Sequence, residues 1–299
     1  MSFLVTGATG FVGRQITAVL DAPVALSRDP ERARTELGER VVIHAWAPAA
    51  GPPPPQAFAG VEAVVHLAGE NVADGRWSAA KKARLRDSRV VGTRHLVQAL
   101  QELALRPRVL VAASAIAFYG DRGDTVLDET AAPGSDFLAD LCREWEAESL
   151  RARDFGIRVA VLRVGVVLGR GGGALEKMLP AFKRGMGGRF GSGEQWVSWI
   201  HIDDLVGLVL HAAQCERVSG PVNAVSPHPV TNRELTRLLA AAVGKPAFLP
   251  VPRIALRLAF GELGDFLLAS QRVVPRVAEA TGYTFRFASL EKAFESLID

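Results

Sequence analysis

Residues 7–13 read Gly-Ala-Thr-Gly-Phe-Val-Gly, directly behind the apolar run Phe3-Leu4-Val5-Thr6 and directly ahead of a helical pattern that begins at Phe11. Three glycines at that spacing, between a strand and a helix, leave few folds open to the chain. The first glycine permits a tight turn out of the strand. The second clears space for backbone N–H groups to approach an anion, and the third lets the helix pack closely on the strand. The positive end of the helix adds its own attraction for phosphate. The segment is therefore expected to cradle a dinucleotide pyrophosphate through Gly7, Thr9, Gly10, Phe11 and Val12.

The rest of the sequence keeps the same rhythm. Short runs rich in Val, Leu and Ala lie at Val24 to Ser27, Val41 to His44, Ala63 to His66, Val109 to Ala113, Val159 to Arg163 and Val222 to Val225. Helix-period segments separate them at Phe11–Leu20, Ala79–Leu103, Asp136–Asp154, Asp203–Gln214 and Thr231–Val243. That alternation predicts an α/β chain with a Rossmann-type doubly wound parallel sheet. Four consecutive prolines, Pro52 to Pro55, mark a surface connection before the fourth strand. After Arg163 the pattern changes to Gly-rich segments around a helix, followed by helices near Arg253–Phe260 and Glu262–Ala269. The expected division is a dinucleotide-binding domain over residues 1–165, joined by about 199–226. A smaller C-terminal substrate lobe takes 166–198 and 227–299.

Composition excludes several alternatives. The net charge of +3 is spread along the chain rather than gathered into a basic block, which argues against nucleic acid as a partner. Cys142 and Cys215 are far apart, too few for a disulfide framework, and not in metal-ligand spacing. No metal site is expected. The first residues run straight into a strand, and no apolar stretch reaches the roughly 18 residues of a membrane span. A cytoplasmic protein with no membrane partner is the expectation.

Cofactor choice is read at the end of the second strand, Leu26-Ser27-Arg28. An acidic residue there bonds a free ribose 2′-hydroxyl, whereas Arg suits a 2′-phosphate as a planar, always-charged fork. Ser27 and Arg28 thus favour NADP; Asp29, next in line, keeps NAD open.

Several further segments carry a resemblance. They are Leu67-Ala68-Gly69-Glu70-Asn71, Arg76-Trp77, the Gly-rich run from Arg163 to Gly173, Trp199-Ile200-His201-Ile202-Asp203-Asp204-Leu205, and Gly282-Tyr283-Thr284-Phe285. With the Thr6–Gly13 loop and Tyr119-Gly120, they make the chain resemble the extended short-chain dehydrogenase/reductase superfamily, and within it the atypical epimerase-like members. The resemblance implies NADP contacts through Ser27 and Arg28, through Leu67, Ala68 and Gly69, through Arg84 and Arg89, and through Val166. A cation such as Arg89 is also suited to an acidic small-molecule substrate.

One departure from that pattern bears on chemistry. The superfamily uses a Tyr with a Lys four residues later, where the phenol moves a proton and the ammonium lowers its pKa. Here Tyr119 is followed at that distance by Gly123, and Tyr283 by Phe287. Phe137 and Leu141 stand where the pair is expected, and the nearby hydroxyl position falls on Ala115, beside Ser114. The remaining candidates for proton transfer are Tyr119, Ser114, Glu70 and Asp136. His201 reads as a structural histidine, and Asp203 and Asp204 as first-turn helix residues. Phe190, Arg189, Trp196 and Trp199 are candidates to line a substrate pocket. Two functions fit: an NADP(H)-dependent oxidoreductase or epimerase-like enzyme of atypical mechanism, acting on a small molecule, or an NADP(H)-binding regulatory or sensor protein without catalysis. Substrate and oligomeric state stay open.

Overall fold

Short strands of Val, Leu and Ala hold together when both their faces are covered, and that is how this chain arranges them. The computed structural model describes residues 1–298. The chain starts with β1 (Phe3–Thr6), α1 (Phe11–Val19), β2 (Val24–Ser27), α2 (Pro30–Leu37), β3 (Val42–Ala45) and β4 (Ala63–His66). It continues with α3 (Ala79–Arg86), α4 (Gly92–Glu102), β5 (Val109–Ala115), β6 (Val126–Leu127), α5 (Phe137–Leu150) and β7 (Arg158–Val164). Then come β8 (Val166–Gly169), α6 (Gly173–Lys183), β9 (Trp196–Val197), β10 (Trp199–His201), α7 (Ile202–Gln214) and β11 (Gly220–Ala224). The last elements are β12 (Val230–Thr231), α8 (Asn232–Val243), α9 (Arg253–Phe260), α10 (Glu262–Phe266), β13 (Arg272–Val273), α11 (Arg276–Ala280) and α12 (Leu290–Leu297).

Seven strands form one parallel sheet in the order β3-β2-β1-β4-β5-β7-β11. This is the expected Rossmann-type sheet, and its order reverses between β1 and β4, where such folds bind ligands. Alternation divides the side chains between two cores. Phe3, Val5, Ala63 and Val65 face the cluster shared with α1 and α7, while Leu4 and Val64 face the one shared with α4.

The helix expected over Ala79–Leu103 is interrupted by a wide π-helical turn at Asp87–Val91. One extra residue per turn there shifts the register of the helix, and Arg89 sits in the turn. The segment expected to be helical to Asp154 passes from α5 into a 3₁₀ turn at Arg151–Phe155, closed by Gly156 at φ 86°. A separate apolar cluster unites Leu168, Leu175, Phe182 and Trp199 with residues of α8 and α12. The expected division assigns residues 227–299 to the smaller lobe. Within that segment Ala278 belongs to a core of the main sheet, with Val277, Tyr283 and Phe285 packed against the same cluster.

A charged residue inside the apolar strand β7 organises the polar interior. Arg163 is 3% exposed and meets Glu146 of α5 through two parallel bonds of 2.9 Å each. Its third contact goes to the Tyr119 hydroxyl at 3.0 Å, and its guanidinium lies 3.5 Å from the centre of the Phe118 ring. Tyr119 donates to Asn223 Oδ1 of β11 at 2.7 Å, and Ser114 of β5 donates to Glu146 at 2.7 Å. Glu129 accepts the Asn223 and Val277 backbone N–H groups, so the network reaches α11. Removing one partner of such a buried pair strands the other charge. Arg163→Met is expected to cost about 3–5 kcal/mol of stability in urea unfolding. A loss below about 1 kcal/mol would show that the pair is not carrying this part of the fold.

Candidate functional site

The glycine loop has the shape of an anion cradle. Gly7 adopts φ +67°, and a Cβ there would lie 2.8 Å from the Leu67 carbonyl. At Gly13 a Cβ would fall 2.2 Å from the Gly7 oxygen, so α1 seats directly on the turn. Gly10 is different: a Cβ would meet only the Gly7 oxygen, at 3.1 Å. Gly10 opens α1 with no side-chain cap and no acidic residue in the first turn. The first N–H groups of a helix lack intrahelical acceptors, so those of Phe11 and Val12 stand at an end ready for phosphate. The Phe11 ring turns the other way, against Gly169, Gly172 and Gly173, which have room for it because they lack side chains. What Phe11 offers an anion is its backbone.

A hydrogen-bond hub fixes the facing loop. Thr6 Oγ1 accepts the Leu67 and Ala68 N–H groups, each at 3.1 Å. Both lone pairs are then used, so its own proton goes to His66 Nδ1, 2.7 Å away. His66 Nε2 in turn donates to Thr93 Oγ1 at 2.9 Å. That chain requires a neutral ring with its proton on Nε2. Full burial points the same way, lowering the pKa to about 4.

At the end of β2, Asp29 is occupied: its Oδ1 accepts the Arg32 N–H and caps α2. Its backbone N–H donates to Ser27 Oγ. Arg28 is exposed and forms no ion pair among the described residues. The two residues that sequence leaves in competition are thus unequal.

The loop after β4 carries a second charge cluster. Glu70 receives Lys81 Nζ at 2.7 Å and Arg84 Nε at 3.2 Å. The bond from Lys81, with help from Arg84, holds its carboxyl below the usual range, so it is an anion bound to two cations rather than a free acid or base. Lys81 is almost fully buried and also donates to the Asn71 carbonyl at 2.9 Å. Sequence reading passed over it, although a Lys in the first turn of a helix behind an acidic loop is a usable signal. Arg89 donates to the Glu70 carbonyl at 2.9 Å, and its guanidinium lies against Gly69 and over the Trp145 ring. Val166 stands partly buried at the start of β8, its N–H bonded to the Ser198 carbonyl.

Three of the four sequence candidates for proton transfer are engaged elsewhere, and the fourth, Asp136, is an exposed helix cap with one oxygen bonded. Tyr119 is wholly buried, and burial raises its pKa above the ordinary phenol range despite the nearby Arg163. Ser114 spends its proton on Glu146. Asp136 caps α5 by accepting the Ala139 N–H at 2.9 Å. Glu70 is the ion-paired carboxylate described above. Phe137 opens α5 and packs edge-on against Trp77, with Leu141 buried one turn further on. Trp199, a candidate for the pocket, is instead fully buried in the lobe core with its indole N–H on the His228 carbonyl. Trp196 is partly buried and donates to Asp124. Phe190 lies at the β-bridge to Val251, and Arg189 flanks Gly193 near α8. His201 caps α7 and stacks on Phe287 at 3.8 Å; Asp204 receives the Arg286 and Phe287 N–H groups.

Comparison with known proteins gives the site its lineage. Residues 3–226 match the NAD dependent epimerase/dehydratase family, and residues 251–297 match a domain of unknown function. The chain belongs to the epimerase/dehydratase family. An epimerase family protein of Mycobacterium tuberculosis is 40% identical over 291 residues, covering 97% of this chain and 95% of the relative. The crystal structure of human epimerase family protein SDR39U1 (isoform 2) with NADPH superimposes with a TM-score of 0.88 at 35% identity, covering 99% of both chains. A nucleoside-diphosphate sugar epimerase of Corynebacterium glutamicum follows at 0.73 and 32% identity, matching all of this chain and 62% of its own.

The His66 hub makes stability depend on pH. The folded ring is neutral, whereas the unfolded chain takes up a proton below 6.5, so this contribution is complete above that pH. It is lost as pH falls from 6.5 toward about 4. Between pH 7 and 4.5 the protein is expected to lose about 2 kcal/mol more stability than its His66→Gln variant in urea unfolding. Parallel pH dependence in the two proteins would contradict a neutral His66.

Proposed function

We propose that the chain is an NADP(H)-dependent oxidoreductase that acts on a small molecule without a Tyr–Lys proton relay. Arg28 carries the reading. It is an exposed arginine free of ion pairs among the described residues, at the strand end where the second ribose is read, while the neighbouring Asp29 is tied into a helix cap. The NADPH held by human SDR39U1 supports the same choice.

The residues present fit the dinucleotide. The side-chain-free space at Gly10 and the open amides of Phe11 and Val12 suit the pyrophosphate, and Arg28 suits the 2′-phosphate. Leu67, Ala68 and Gly69, with Arg84, Arg89 and Val166, are assigned to the rest of the molecule. When bound, the reduced dinucleotide supplies a hydride. The protein's own part is to orient it, to keep water from the apolar surface around Phe137, and to hold the charges of Glu70, Lys81 and Arg84 in place. Phe137 cannot move a proton, and Leu141 cannot tune one. A sensor role shares the binding residues and differs in showing no turnover.

Two expectations follow. In calorimetry, NADPH binds more tightly than NADH, and Arg28→Ala weakens NADPH by about 1.5–3 kcal/mol while leaving NADH nearly unchanged. Equal or tighter binding of NADH would sink the cofactor assignment. Incubation with UDP-, GDP- and dTDP-sugars plus NADP or NAD, followed by NMR, should show no epimerisation or dehydration. Turnover on the order of 1 s⁻¹ would mean that a proton-transfer group is at work, with Tyr119→Phe and Ser114→Ala the variants to locate it.

A further inference from the structure

Arg28 is not the only cation beside the glycine loop. β1 and β2 run parallel with Thr6 opposite Leu26, so the same register sets Gly7 beside Ser27. Arg28 therefore leaves its strand next to the loop. Arg14 reaches that loop from α1, where its Nη1 donates to the Thr9 carbonyl at 3.2 Å. Two guanidinium groups thus serve one short turn, one from a strand end and one from a helix.

Arg14 is only loosely committed. Its ion pair is with Glu36 of α2, whose Oε2 stands 3.7 Å from Nη1, close enough for attraction and too far for a hydrogen bond. Glu36 gives its Oε1 to Arg32 at 2.7 Å, and its buried Oε2 has no hydrogen-bond partner among the described residues. The Thr9 carbonyl takes up one donor of the Arg14 fork, and the side chain is 43% exposed. An arginine fastened at one corner and open at the others is placed to receive an anion.

Resting on the NADP(H) reading above, we propose that Arg14 joins Arg28 in a two-arginine clamp on the ribose 2′-phosphate. A phosphate monoester carries a charge of about −1.5 to −2 at pH 7, and a single guanidinium matches only part of it. Arg28 meets the phosphate from the strand end, and Arg14 meets it from the helix while still resting on Thr9. Glu36 works against the clamp, because its carboxylate attracts the same arginine that the phosphate needs. A 2′-hydroxyl asks for neither cation. Arg14 therefore adds to discrimination between the two dinucleotides rather than to dinucleotide binding as such.

The test titrates NADPH, NADH and adenosine 2′,5′-bisphosphate into the full chain by calorimetry. Arg14→Gln is expected to weaken NADPH and the bisphosphate by about fivefold to thirtyfold, while NADH moves by less than about twofold. Arg14→Lys keeps the charge without the fork and should hold NADPH more tightly than Arg14→Gln does. Glu36→Gln leaves Arg14 on the Thr9 carbonyl, removes the competing charge, and should tighten NADPH by about twofold to fivefold. Equal losses for NADPH and NADH in Arg14→Gln would show that Arg14 only supports the loop backbone, which overturns the clamp. Unchanged NADPH affinity in Arg14→Gln, with Arg28→Ala still weakening it, overturns the clamp and leaves the NADP(H) reading intact. A native chain that binds NADH as tightly as NADPH overturns that reading, and the clamp with it.

Discussion

Arg163 is the constraint from which much of the site follows. A guanidinium at 3% exposure must have its charge matched and its donors filled, and the chain supplies Glu146, Tyr119 and the Phe118 ring for that purpose. The consequence reaches beyond stability. By recruiting Tyr119 directly and Ser114 through Glu146, the ion pair removes from circulation the two hydroxyls nearest the end of β5. The same network joins β5, α5, β7 and β11 into one rigid floor.

The two ends of the site are built on opposite principles. Around the switch point of the sheet everything is polar and fixed: Thr6 and His66 hold the Leu67–Ala68 turn, and that turn leaves no room for a side chain at Gly7. An amide cradle fixed beforehand needs no ordering when an anion arrives. At the N-terminus of α5 the surface is aromatic around Trp77 and Phe137, beside the exposed Asp136 that caps the helix.

Much of this was legible in the sequence, for reasons that differ by residue. Gly7 and Gly13 announce themselves because the turn and the helix seat leave no room for a Cβ, Gly10 by its spacing between them, and the parallel sheet follows from alternating short apolar runs and helical periods. That Phe137 and Leu141 stand where the superfamily's reactive pair is expected rests on the family resemblance; the structure adds that they open α5 and pack into an apolar cluster. The polar partners were not legible. Glu146, Asn223 and Glu129 are separated from Arg163 by 17 to 60 residues in sequence, and nothing local to any of them says which charge it must satisfy. Arg163 itself was the clue, a charge inside the strand Val-Ala-Val-Leu-Arg-Val. Lys81 escaped because burial of a lysine is decided by the loop folded over it. The π-helical turn around Arg89 escaped because a one-residue register shift leaves helical periodicity almost unaltered. The two-residue strands β6, β9, β12 and β13 are too short to show a period at all.

A crystal structure of the chain with bound NADPH tests the cofactor assignment most directly. The pyrophosphate is expected on the Phe11 and Val12 amides, the 2′-phosphate within bonding distance of the Arg28 guanidinium, and the nicotinamide end beside Phe137 with no side-chain hydroxyl in reach of it. A 2′-phosphate held away from Arg28, or a tyrosine or serine hydroxyl swung free of the Arg163 network and bonded at the nicotinamide end, would contradict it.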